Sequence, residues 1–289
     1  MKKVSIIMPV FNSNTDYFNQ AISSALSQTI EDLELLIIDD GSDDKNFTEL
    51  LSETSKKDKR IKVFKKNHQG SGQARNLGIS LSNGETISFL DSDDYYPDKD
   101  TLETLYNSMK DNSVLISGGT PLDLKPDGSL VPPYFNYGNI NDYFSDKELK
   151  YTDYQFPWWY WCFLYSADLL KKNKLYFPPY LRYQDPIWFT KTMVSAGSFR
   201  ALNKTTYIHR DRGNLNTLTK EQTESHIQGI CTLLKYSSEQ NLSKLHKLLH
   251  DVFFDYDINL LNNNQALTDK DRQKYTEMIN SCSNSNYLT

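Results

Sequence analysis

Four apolar runs alternate with helical patterns through the first third of the chain. They occupy residues 4–11, 33–40, 61–67 and 86–94. The runs are near-continuous, as in strands covered on both faces. Between them lie residues 17–28, 45–56 and 72–81, and in the first of these Phe18, Ile22, Ala25 and Leu26 recur at helical spacing. Such β-α-β-α repetition predicts an α/β fold, a mostly parallel Rossmann-like sheet flanked by helices. Right-handed crossovers then bring the strand C-termini to one edge, where such sheets bind ligands.

Regularity fades after a predicted helix at 99–110 and a strand at 114–119. Residues 121–131, with "KPDGS", suggest a hairpin. The aromatic run "FPWWYWCFLYS" at 156–166 precedes a short helix at 167–172. Read as a strand, that run puts Trp158 and Tyr160 on one face and Trp159 and Trp161 on the other, one face for the core and one open to a ligand. Another helix starts at Asp185, with Pro186 in its first turn. Residues 205–210 read as a strand, and from Leu218 onward the pattern is helical, with a frayed tail at 280–289. The expected organisation is an α/β domain over 1–215, in two halves divided after residue 100. A helical region over 216–289 follows.

The polar residues follow this geometry. "PVFN", "DDGSDD", "HQGSGQARN" and "DSDD" each follow one of the first four strands, so four polar clusters converge on one rim. Asp43 and Asp44 suit a turn and a helix cap, whereas Asp39 and Asp40 end a buried strand and suit ligand contact. Gly70 and Gly72 allow close backbone approach, with Arg75 and Asn76 on the first turn beyond, but the phosphate-loop pattern is absent. Asp91 and Asp93 point to one side of an extended chain, and Asp94 points to the other, free to cap the turn before Pro97. Two nearby carboxylates suit Mg²⁺ or Mn²⁺ completed by substrate phosphates, although an Asp-rich turn alone is more often solvated than metallated.

Composition narrows the classes. The formal charge of -5, from 37 acidic and 32 basic residues, argues against a general nucleic-acid binder. Cys162, Cys231 and Cys282 are scattered, without disulfide or zinc spacing, which fits a reducing cytoplasm. The first residues look like a leader, but Ser5, Pro9 and Asn12 interrupt the apolar stretch. No run nears the roughly 18–20 apolar residues that span a bilayer, so the expectation is a soluble or peripheral protein.

Together, "VSIIMPVFN", "AISSALSQT", "LELLIIDDGSDD", "GQARNLGI" and "GETISFLDSDD" resemble the family 2 glycosyltransferases of GT-A fold. The resemblance is dense over residues 3–100, thin to about 212, and then stops. It implies that 1–215 is the catalytic domain, with a nucleotide-binding half to residue 100 and an acceptor-side half over 101–215. It implies a UDP-sugar donor, a carbohydrate-containing acceptor and a hexosyl- or N-acetylhexosaminyl-transfer that inverts the anomeric carbon. The aromatic run would then offer Trp158 or Trp159 to the acceptor sugar. The resemblance also implies roles. Pro9, Val10 and Phe11 flank the nucleotide, Asp40 hydrogen-bonds the uracil with Asp39 in support, and Arg75 reaches the base or its neighbourhood. Asp91 lies toward the ribose or sugar, and Asp93 holds the Mn²⁺ or Mg²⁺ that bridges the diphosphate. Asp185, in "QDP", matches the catalytic base, with Gln184 where the family carries Glu. His209 matches a late histidine that ligates the metal or touches the diphosphate, and Arg210 and Arg212 add phosphate contacts.

Alternatives stay open at this point. Asp185 also reads as a helix N-terminal acid, and His209 as a hydrogen-bonded strand residue. The stripe Leu242, Leu245, Leu248, Leu249, Val252, Phe253 and Tyr256 suits packing on the catalytic domain or a homodimer. Binding at a membrane surface is weakened by Asp251, Asp255 and Asp257. A nucleotidyltransferase, or an inactive sugar- or partner-binding relative, are the alternatives to a transferase. The first would usually want a Gly-rich loop after strand one, and "MPVFNSN" has none.

Overall fold

The computed structural model describes residues 2–133, 140–211, 218–252 and 258–283. Among them, nine strands form one sheet: β1 (Lys2–Val10), β2 (Leu33–Asp39), β3 (Ile61–Lys65), β4 (Gly84–Phe89), β5 (Ile116–Leu124), β6 (Leu130–Val131), β7 (Lys147–Lys150), β8 (Phe163–Ser166) and β9 (Ser198–Arg210). The helices are α1 (Thr15–Leu26), α2 (Lys45–Lys57), α3 (Ser71–Leu81), α4 (Thr101–Asn112), α5 (Tyr151–Tyr154), α6 (Ala167–Lys172), α7 (Gln184–Ala196), α8 (Lys220–Glu239), α9 (Ser243–Val252), α10 (Ile258–Asn263) and α11 (Asp269–Ser283).

The strand order is β3-β2-β1-β4-β8-β5-β9-β7, with β6 paired to β5. The first four strands pair with one another in parallel, Val10 facing Asp39 and Asp39 facing Lys65, so their C-terminal ends share one edge. Val4 to Val10 and Leu33 to Asp39 are buried along their whole length, as near-continuous apolar runs require. Helix α1 puts Phe18, Ala21, Ile22 and Ala25 into the core, and Asn14 caps it by accepting from the N–H groups of Asp16 and Tyr17. Asp44 caps α2 by accepting from Phe47 N–H at 3.0 Å. The "KPDGS" hairpin forms between β5 and β6.

Beyond β4 the sheet turns mixed. β8 enters antiparallel between β4 and β5, and β9 runs parallel to β5 as far as the pair Leu124–Arg210. β9 starts at Ser198, earlier than its residues 205–210 suggested, because β5 and β7 both supply pairing partners for its first half. The aromatic run departs from the expected strand. Trp159 has φ 64° and opens a 3₁₀ turn over Tyr160–Cys162, and only Phe163–Ser166 is extended. The period-two division of its faces therefore fails. Tyr160 is buried, while Trp158, Trp159 and Trp161 are partly buried against the core.

The described part of the apolar stripe at 242–252 packs within the chain. Leu242, Leu245, Leu248 and Leu249 are buried in the same core as the sheet; Phe253 and Tyr256, with Asp255 and Asp257, lie outside the described residues. Among the described residues no helix is long and apolar enough to cross a membrane.

Candidate active site

The carboxylate turn after β4 is sewn to the end of β9. Tyr95 and Ile208 exchange backbone hydrogen bonds of 3.2 and 2.9 Å. Asp94 is only 2% exposed; its carboxylate accepts from the Tyr207 hydroxyl at 2.9 Å and from Arg210 N–H at 2.8 Å. It is thus a buried bracket between two distant segments, and this corrects the expectation of a turn cap. Burial, then the nearby Asp93 charge, raises its pKa, with His209 opposing. The Tyr207 hydroxyl also accepts from Asp91 N–H at 3.0 Å. With Asp94 turned inward, Asp91 and Asp93 line a cavity of about 600 Å³ together with Pro9, His209 and Arg210.

β9 delivers His209 and Arg210 to that cavity because it pairs in register with β5, His209 opposite Asp123. His209 Nδ1 lies 3.0 Å from Asp123 Oδ1, and the ring stacks on Trp161 at 5.5 Å. Burial disfavours its charge, but Asp123, Asp94 and Asp93 outweigh burial and raise its pKa. In the neutral ring, a proton held on Nδ1 by Asp123 leaves Nε2 as the lone-pair nitrogen. Arg210 donates from Nε to the Asp93 carbonyl at 3.0 Å and lies over the Tyr17 ring at 3.9 Å. Arg212 lies outside the described residues.

The donor set fits a hard divalent cation that relies on its substrate. Asp93 can offer carboxylate oxygens and His209 an imidazole nitrogen to the first cavity, which both line. Among the described residues no three His, Cys, Asp or Glu side chains converge closely enough to hold a metal by themselves. Mg²⁺ and Mn²⁺ accept this, since they take few protein ligands and complete their shell with phosphate and water.

Arg75 joins this cavity to a second, of about 460 Å³. It is buried on α3, donates to Asp91 Oδ1 at 2.6 Å and to Ser71 Oγ at 3.2 Å, and lies over the rings of Tyr160 and Phe177 at 5.1 and 5.5 Å. Burial opposes its charge, yet Asp91 more than offsets this and raises its pKa. Asn76, one residue on, is committed elsewhere: its amide exchanges hydrogen bonds of 2.9 and 2.8 Å with the Phe177 backbone.

The second cavity holds Asp185, in the first turn of α7, with Trp158, Trp161, Arg182 and Gln184. Burial raises the Asp185 pKa, and Arg75 partly counters it. Gln184 is buried, donates to Ser71 Oγ at 3.3 Å, and packs so closely that a Cβ on Gly72 would come within 2.9 Å of its Cγ. Trp158 lines this cavity, whereas Trp159 lines neither, because the left-handed turn at Trp159 takes it out of strand geometry.

Just beyond β2, Asp40 accepts from Lys66 Nζ at 2.6 Å, Gln69 N–H at 3.0 Å and Gly70 N–H at 2.8 Å, with His68 Nδ1 at 2.9 Å. It shapes the loop that leads into α3. Asp39 accepts from Ser42 N–H at 2.8 Å. Phe11 is 46% exposed, with its ring 4.4 Å from that of His68. Val10 departs from expectation: its side chain is 2% exposed in the core, and it reaches the rim only through its carbonyl, which accepts from Asp40 N–H at 2.9 Å.

This arrangement has a match in sequence. The profile described as Glycosyl transferase family 2 matches residues 5–207. The chain belongs to glycosyl transferase family 2.

Within that family it is similar to TarP of Staphylococcus aureus (strain N315), named a poly(ribitol-phosphate) beta-N-acetylglucosaminyltransferase. The two are 43% identical over 144 residues, 48% of this chain and 43% of TarP. It is also 29% identical to the uncharacterized glycosyltransferase EpsJ of Bacillus subtilis (strain 168) over 233 residues, 78% of this chain and 66% of EpsJ. Each match thus spans less than two thirds of the relative's own length. The solved structure of S. aureus TarS 1–349 in complex with UDP superposes with a TM-score of 0.70 at 18% identity, covering 97% of this chain and 80% of that one. The fold is accordingly the GT-A fold.

Several site residues of this family member escaped the motif reading. Ser71, Arg182 and His226 line the cavities, and Asp123 holds His209. Ser71 stands in the quoted Gly-rich loop and was open to notice. Arg182 and His226 carry no local pattern, since packing of α8 against the segment before α7 brings them in.

Proposed function

We propose that this chain is an inverting, metal-dependent glycosyltransferase that moves a hexosyl or N-acetylhexosaminyl group from a UDP-sugar to a hydroxyl of a carbohydrate-containing acceptor. One observation carries the reading: a cavity walled by Asp91, Asp93, His209 and Arg210 adjoins a second that holds Asp185, and Arg75, Asp91 and His209 line both. The first suits a nucleoside diphosphate and its cation. The second offers a carboxylate base to an incoming hydroxyl. In a single displacement, the acceptor oxygen bonds to the anomeric carbon as its bond to the diphosphate oxygen breaks. The hydroxyl proton passes to Asp185, and UDP leaves. Asp93 and His209 would hold the divalent cation, which supplies charge stabilisation to the leaving diphosphate when bound. Pro9, Phe11 and Asp40 form the side toward the base, and Trp158 is the acceptor-side aromatic.

The named relative TarP and the poly(ribitol-phosphate) beta-glucosyltransferase of Bacillus spizizenii, 32% identical over 193 residues, support assembly of a bacterial surface glycan. A cytoplasmic or membrane-peripheral setting goes with a UDP-sugar donor. The test is a panel of UDP-sugars with Mn²⁺ and surface-glycan acceptors. UDP release with an inverted product linkage by NMR supports the reading, and a retained configuration contradicts it.

A further inference from the structure

Arg182 stands between the two cavities and lines both. It comes from the irregular stretch just before α7, and α8 fixes that stretch from behind. Ser225 Oγ accepts from the N–H of Leu181 at 2.7 Å and of Arg182 at 3.3 Å. The Tyr183 ring stands edge-on to His226 at 5.0 Å. Gly229 lies so close that an added Cβ would come within 2.6 Å of the Tyr183 Cβ. Tyr183 itself has φ 65°, in the left-handed region that bulky side chains rarely adopt. The helix therefore presents the Arg182 side chain from a rigid root.

The other described arginines of the site are committed. Arg75 pairs with Asp91 at 2.6 Å, and Arg210 donates to Gln20 at 2.6 Å and to the Asp93 carbonyl. Among the described residues no carboxylate lies within ion-pair distance of the Arg182 guanidinium. In the second cavity Arg75 takes the Asp91 charge and His209 pairs with Asp123, while Arg182, after Arg75, favours the ionised form of Asp185 without an ion-pair contact. An uncommitted guanidinium fork on a cavity wall matches phosphate, which it can grip through two parallel N–H donors.

We propose that Arg182 is a specificity-determining residue that recognises a phosphate group on the acceptor, beside the hydroxyl that Asp185 deprotonates. The inference rests on the transferase reading and deepens it, since it names the acceptor as phosphate-bearing. The donor diphosphate is the other source of the same chemistry, and the experiment separates the two.

The protein is loaded with Mn²⁺ and UDP and titrated with sn-glycerol 3-phosphate or with glycerol, for the wild type and Arg182→Ala. UDP affinity is measured in parallel. Glycerol 3-phosphate is expected to bind in preference to glycerol, and to bind roughly tenfold more weakly to Arg182→Ala, with UDP affinity unchanged. No preference for the phosphate probe, or equal binding by the variant, overturns the proposal. So does a comparable loss of UDP affinity in Arg182→Ala, which would assign the residue to the donor. Failure of the wild type to bind UDP would instead bring down the transferase reading, and this inference with it.

Discussion

The Tyr207 hydroxyl donates to the Asp94 carboxylate at 2.9 Å and accepts from Asp91 N–H at 3.0 Å. One phenol therefore ties both ends of the carboxylate turn to the strand that carries His209. Tyr207→Phe removes both bonds and leaves buried polar groups unpaired, at a cost of about 1–3 kcal/mol. A loosened turn should also weaken UDP binding in the presence of Mn²⁺. Urea unfolding and a UDP titration measure the two effects, and a variant as stable as the wild type would show that the bracket contributes nothing.

Asp185 should set the acid limb of the rate profile. It acts as a base only when ionised, and burial raises its pKa despite Arg75. Activity should then fall as pH drops through a midpoint above the ordinary Asp value of about 3.9. The stability sign runs the opposite way: the raised folded pKa gives a contribution that is present at low pH and lost as pH rises through it. Gln184→Glu would place a second carboxylate next to Asp185 and should move the limb to higher pH. An unmoved limb in that variant would argue that another group titrates.

Trp158 and Trp159 should separate in function although they are adjacent. Only Trp158 lines the cavity of Asp185. Trp158→Ala is expected to raise the acceptor KM several-fold, as the loss of a stacking aromatic surface would. Trp159→Ala should leave the acceptor KM alone and act on stability, since the side chain packs against the core. Equal effects on KM would contradict this division.

Asp93→Ala should abolish the Mn²⁺ dependence of UDP binding. Metal-free and Mn²⁺-loaded titrations of the variant are then expected to coincide, and a persisting Mn²⁺ enhancement would place the cation on other ligands.

How far each of these features could be read from the chain depends on how local its cause is. The rim of four polar clusters was legible because continuous apolar runs that alternate with helical patterns point to a buried parallel sheet. The role of Asp94 was not, since its partners Tyr207 and Arg210 stand 113 and 116 residues away. The aromatic run misled for a local reason: a left-handed Trp159 breaks the period-two alternation, and nothing in "PWWYWC" announces it. Val10 shows the limit of carrying a motif over whole, because the motif is at the rim while this side chain is in the core. Arg182 depends on α8 meeting a stretch more than forty residues earlier, with the Arg182–Ser225 contact spanning 43 positions.

The most direct measurement is a paired one on Asp185→Asn, comparing UDP affinity with Mn²⁺ against turnover of UDP-sugar to UDP with acceptor. Asparagine keeps the size and loses the base. UDP affinity should match the wild type while turnover falls by roughly 10²–10⁴-fold. Turnover near the wild-type rate would contradict the assignment of Asp185 as the base, and with it the proposed displacement.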